Sequence, residues 1–88
     1  MRKRDVLFAT GHVTRPAEIG PYLEEEKRVL AELRENGVVR EAFSPATGHG
    51  VIGILVGPSL AAVQAQMARL PFVAHGMLTF EYTEIIPL

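Results

Sequence analysis

The chain contains no cysteine and no tryptophan. Without thiols, a disulfide framework, a thiolate metal site and a cysteine nucleophile are all excluded. An excess of charge of either sign is missing as well: nine Lys and Arg stand against ten Asp and Glu, for a formal net charge of -1. Such a balance supplies no basic field for nucleic acid or an anionic membrane, and the short cluster Arg2, Lys3, Arg4 does not amount to one. Long apolar runs are also absent. The stretch "DVLFATGHVT" is interrupted by Asp5, Gly11 and His12 before a signal-peptide core develops, so a soluble cytoplasmic protein with no membrane partner is expected.

What is present is a small, moderately apolar chain of 88 residues, 48% hydrophobic and 22% charged. That fits one domain, residues 1–88, near the lower limit for folding without staples. Val6 to Val13 is β-branched and apolar without helical spacing, which predicts a first strand ending near Thr14. "TRPAEIGP" then breaks it. Tyr22, Leu23, Glu26, Val29, Leu30 and Leu33 recur at helical spacing between Pro21, suited to a first helical position, and Gly37, an αL stop. A first helix is therefore predicted over about residues 21–36. Val38 to Ser44 reads as a second strand, "PATGHG" as a loop, and Val51 to Val56 as a third strand, apolar on both parities. Ser59 is placed to cap a second helix with the stripe Leu60, Val63, Met67, Leu70, ending at Pro71. Met77 to Leu88 supplies the fourth strand.

The order βαββαβ predicts an α+β, ferredoxin-like fold: an antiparallel four-stranded sheet with two helices on one face. Two helices cannot cover both faces of such a sheet, yet the third strand asks for apolar surroundings on both. A second copy packed sheet to sheet, as a dimeric α+β barrel, resolves the conflict, and a higher homo-oligomer stays open.

Glu26 interrupts the apolar stripe of the first helix. Facing the space between helix and sheet, its carboxylate would be partly desolvated and its pKa lifted from about 4 toward neutrality, as a general base requires. Alternatively it lies at the stripe's margin and reaches solvent or an arginine. Lys27, about 100 degrees further round, is either a solvated lysine or an ammonium that stabilises an enolate. Glu24 and Glu25 suit the helix dipole. Arg40, within "VVREAF", would hold a substrate carboxylate if it faces a cavity, and is otherwise a cross-strand or interface charge. His12, His49 and His75 lack metal-ligand spacing, so no metal is expected, although His12 and His75 can meet if the first and fourth strands are neighbours. Together with Tyr22 at the head of the stripe, Arg40, His12 and His75 are the candidate substrate-binding residues. "GHGVIG" and "GPS" lack the context of a phosphate loop, and Ser44 and Ser59 have no adjacent base, so neither a nucleotide nor a serine nucleophile is expected.

The run "EEEKRVLAELRENGVVREAFSPATGHG", followed by "GPS", an alanine-rich helix and "LPF", resembles the muconolactone δ-isomerase family. The matching positions are Glu25, Glu26, Lys27, Gly37, Arg40, Pro58, Ser59, Leu70 and Pro71, while two family tryptophans are replaced by Val39 and Phe43. The resemblance implies a ferredoxin-like protomer in α+β barrel dimers and a cofactor-free proton shift on a small unsaturated lactone. Glu26 would be the base, with Lys27 or another donor stabilising the dienolate. One rival is a cofactor-independent monooxygenase or cyclase on the same barrel, whose pocket would want aromatic walls that two Tyr and four Phe supply only sparingly. Another is a non-catalytic small-ligand-binding or assembly protein, with Glu26 neutralised by Arg28, Arg40 or a partner's cation and no cavity beside the first helix.

Overall fold

Alternation along the first strand sets the architecture. In the computed structural model, which describes residues 4–48, 50–86 and 88, β1 (Asp5–Val13) buries Leu7, Ala9 and Gly11 on one face and turns Phe8 and His12 outward. Arg2, Lys3 and His49 lie outside the described residues. The two other central and edge neighbours follow from pairing: β1 bonds β3 (Val51–Gly57) on one side and β4 (Leu78–Ile85) on the other, and β2 (Val39–Phe43) lies beyond β3. The order β2-β3-β1-β4, antiparallel at every step, is the expected ferredoxin-like arrangement.

Helix α1 (Leu23–Glu35) crosses from β1 to β2, and α2 (Leu60–Met67) with the short α3 (Pro71–Ala74) crosses from β3 to β4. One core joins them to the sheet: Val29 and Leu33 of α1 and Val63 and Met67 of α2 pack with Leu7, Ala9, Val39 and Leu55. Leu23, included in the predicted stripe, is exposed at the first position of α1.

Local chemistry explains the boundaries. Gly37 adopts φ +81°, and Val38 N–H donates to Leu33 O at 3.0 Å, so the glycine ends α1 as expected. Ser59 Oγ accepts from Ala62 N–H at 3.1 Å and caps α2. Two features were not anticipated. The segment before α1 forms two 3-10 turns, Pro16–Glu18 and Gly20–Tyr22, so the α-helix starts at Leu23 instead of Pro21. The second helix ends at Met67, short of the predicted Leu70, and Pro71 does not stop it: with Leu70 extended, the fixed φ of Pro71 opens α3 instead.

The opposite face of the sheet carries no helix among the described residues. Phe8 pairs with Ile54 and Val6 with Val56 there, and Phe43 beside Ile52 is 52% exposed. No helix among the described residues is long and apolar enough to cross a membrane.

Candidate functional site

The three consecutive glutamates of α1 have three different surroundings. Glu24 is exposed. Glu25 bonds the Arg28 guanidinium, which holds its pKa below the ordinary carboxylate value. Arg28 also reaches Glu32 at 2.8 Å, and Arg69 of the other helical arm reaches Glu32 at 2.6 Å. Glu26, one step further round, joins neither group.

Instead Glu26 points across to α3, where its Oε1 accepts from Phe72 N–H at 2.9 Å. Leu70 offers α3 no side-chain cap, so a carboxylate 46 residues away in sequence supplies one of the missing acceptors. The approach of α3 is fixed by the segment before α1. Thr14 Oγ1 donates to Gly76 O at 2.8 Å, Arg15 Nη2 donates to His75 O, and the Tyr22 ring stacks on His75 with centroids 4.5 Å apart. Burial raises the pKa of Glu26, and the Phe72 N–H offsets part of that rise.

Beside this carboxyl lies a cavity of about 60 Å³. Its floor is the helix side of the sheet, where Ala42 and Gly53 leave room that larger residues would fill. Leu30, Met67 and Leu70 form the helical walls, and Leu78 and Phe80 of β4 close the far side. Among the described residues, Glu26 is the sole titratable side chain lining it. A carboxyl of raised pKa against an otherwise apolar wall is suited to taking a proton from a weak carbon acid and returning it.

The other sequence-derived candidates scatter. Lys27 is exposed and does not line the cavity. Tyr22 and His75 form their stacked pair where the segment before α1 meets the end of α3. His12 belongs to the opposite sheet face, paired with Thr79, and borders a recess with Val13, Pro16 and Ile19, so it does not join His75. Arg40 sits at a β-bulge between Val39 and Glu41 and is exposed, which removes the parity on which its expected direction depended. Among the described residues there is no group of three or more His, Asp or Glu able to hold a metal.

Sequence reasoning missed the Phe72 N–H and the aromatic pair Phe80 and Tyr82, whose rings lie 5.9 Å apart. A signal for the pair existed: Leu78, Phe80 and Tyr82 alternate with Thr79, Glu81 and Thr83, the period of a half-buried strand. The Phe72 bond left no signal, since any residue other than proline carries an N–H.

No family model and no curated protein matches the chain. Among solved structures it is similar to a protein of Bacteriodes thetaiotaomicron VPI-5482 that carries the provisional name antibiotic biosynthesis monooxygenase. The two share 18% identity at a TM-score of 0.60, over 98% of this chain and 90% of that one. At that identity the likeness establishes the ferredoxin-like fold alone.

Proposed function

We propose that the chain catalyses a cofactor-free proton shift on a small, unsaturated carbonyl compound such as a lactone, with Glu26 as the base that removes and returns the proton. One observation carries this reading: among the described residues the sole ionisable group lining an apolar cavity is a carboxyl whose pKa is raised by burial. In its ionised form Glu26 takes a proton from a carbon next to the conjugated system. The electron pair delocalises onto the carbonyl oxygen as a dienolate, and the protonated Glu26, whose carboxyl proton exchanges with solvent, delivers a proton to another carbon. Oε1 stays engaged by Phe72 N–H while Oε2 takes no hydrogen bond from any described residue, which supports Oε2 as the atom that carries the proton. Similarity to the muconolactone isomerase motif supports the same residue in the same role.

Solvent exchange tests this without a known substrate. Small butenolides and enones incubated in D₂O are expected to take up deuterium at an activated carbon in the presence of the protein, read by proton NMR. Glu26→Gln keeps an oxygen for Phe72 N–H but has no basic carboxylate, so exchange should fall by at least about 100-fold with the fold unchanged. Equal exchange by wild type and variant sinks the proposal.

A second reading is favoured by the name of the structural neighbour. The same deprotonation can form a carbanion that reduces dioxygen, converting a CH₂ to a carbonyl with release of one water; oxygen uptake with the same compounds separates the two reactions. In either case the open sheet face, with Phe8, Ile54 and Val56, supports a homodimer packed sheet to sheet. Sedimentation of the wild type as a monomer at micromolar concentration would remove that part of the proposal.

A further inference from the structure

The Glu26 cavity has a neighbour. A more open recess of about 310 Å³ lies on the other side of Leu78 and Phe80, reaching Tyr82 on β4 and Gln64 on α2. Leu78 and Phe80 line both spaces, so these two side chains are the wall between them. The wall rests on Gly11 of β1, paired with Phe80 in the sheet. A Cβ on Gly11 would come within 2.8 Å of the Phe80 ring and 3.1 Å of Leu78, so only glycine lets the ring lie where it does. With void on two sides, the ring is held by this strand contact, by the edge of the core and by the Tyr82 ring 5.9 Å away.

The Tyr82 hydroxyl makes no hydrogen bond to any described residue, although the side chain is half-buried. Burial raises the phenol's pKa, so it is a proton-bearing donor at neutral pH. Among the described residues, no side chain lining the Glu26 cavity other than a protonated Glu26 is a hydrogen-bond donor.

From this arrangement we infer that the two spaces are chambers of one site divided by Phe80, which takes a ligand with a small apolar end beside Glu26 and a longer arm bearing an acceptor oxygen held by the Tyr82 hydroxyl. Phe80 is then the specificity-determining residue, because it sets the length of apolar chain that the inner chamber admits. This rests on the proton-transfer reading only in taking the Glu26 cavity as the ligand's reacting end.

Binding can be read apart from turnover. Calorimetric titration with a series of butenolides carrying unbranched alkyl arms of increasing length, some ending in a methyl ketone, supplies the probe. In the wild type each added methylene that enters apolar space is expected to tighten binding about fourfold until the arm meets Phe80, where the gain stops. In Phe80→Ala, or Phe80→Leu if the former does not fold, the gain should continue to longer arms. Gly11→Ala, which displaces the ring, should move the stopping point in the wild-type series. Tyr82→Phe should weaken the ketone-bearing members by about five- to tenfold and leave the plain alkyl members unchanged. A stopping point that is the same in wild type and both Phe80 variants overturns the inference, as does a Tyr82→Phe variant with no preference between the two arms. Glu26→Gln separates the proposals: a normal length profile with undiminished deuterium exchange defeats the proton-transfer reading alone, whereas lost exchange with no length profile in any variant defeats the two-chamber site alone.

Discussion

The two faces of the sheet are built from the same strands but by opposite rules. On the helix side the middle of the sheet is small: Ala9 and Gly11 on β1, Ala42 on β2 and Gly53 on β3. On the open side the neighbouring positions are large, with Phe8, Ile52, Ile54 and Phe43. Helices seated over small residues leave a cavity, while bulky residues with nothing over them leave an adhesive surface. One face therefore holds a cavity and the other an uncovered apolar surface.

Breaking the helix side should cost most. Leu33 is fully buried between α1 and the sheet, so Leu33→Ala is expected to lose about 2–5 kcal/mol, measured by denaturant unfolding. Its counterpart on the open side is Phe8, which is 36% exposed. In an isolated chain Phe8→Ala should cost only about 1 kcal/mol. If a second copy covers this face, the loss approaches that of a buried phenylalanine and the melting temperature of the wild type rises with protein concentration. A small, concentration-independent loss would show that no second copy covers the open face.

The contrast between faces also marks what the sequence discloses. Element order was legible because each strand and helix has its own period and stop, Gly37 and Ser59 among them. The bulge at Arg40 was not, since one extra residue in β2 reverses the facing of everything before it without altering composition. Glu26 was legible as an anomaly because α1 is long enough for its stripe to be counted. The partner that anchors it was hidden, because α3 has four residues and its position depends on contacts made by Thr14, Arg15 and Tyr22 far away in the chain.

A gentler change sharpens the same comparison from within the cavity. A Cβ on Gly53 would touch Leu55 at 3.4 Å and Glu41 O at 3.7 Å, ordinary contacts, and the residue does not need a positive φ. Gly53→Ala should therefore stabilise the chain by about 0.4–1 kcal/mol through a less flexible unfolded state, while narrowing the floor beside Glu26. A higher melting temperature with slower deuterium exchange is the expected pair of results. Faster exchange would place the reacting end elsewhere, since a smaller chamber cannot help a ligand seated in it.

The smallest effect is a slope, and it isolates Glu26 from every other carboxylate. Its folded-state pKa lies above its unfolded value because burial opposes ionisation more than Phe72 N–H favours it. Between the two values the folded chain binds more protons than the unfolded chain, so stability falls as pH rises. The contribution is fully present below the unfolded pKa, near the ordinary 4.5, and is gone once pH has passed the raised folded value. Glu25 works in the opposite sense: its pKa is lowered by Arg28, so its contribution is present above the ordinary value and is lost as pH falls through the lowered one. Glu26→Gln removes the first slope and leaves the second, while retaining an acceptor for Phe72 N–H. Stability of the variant minus that of the wild type should thus increase with pH across the window above 4.5 and be level on either side, in unfolding curves taken at successive pH values. A difference that declines with pH would mean that the Glu26 carboxylate is stabilised as an anion in its site, and a group so stabilised would be a poor base for carbon.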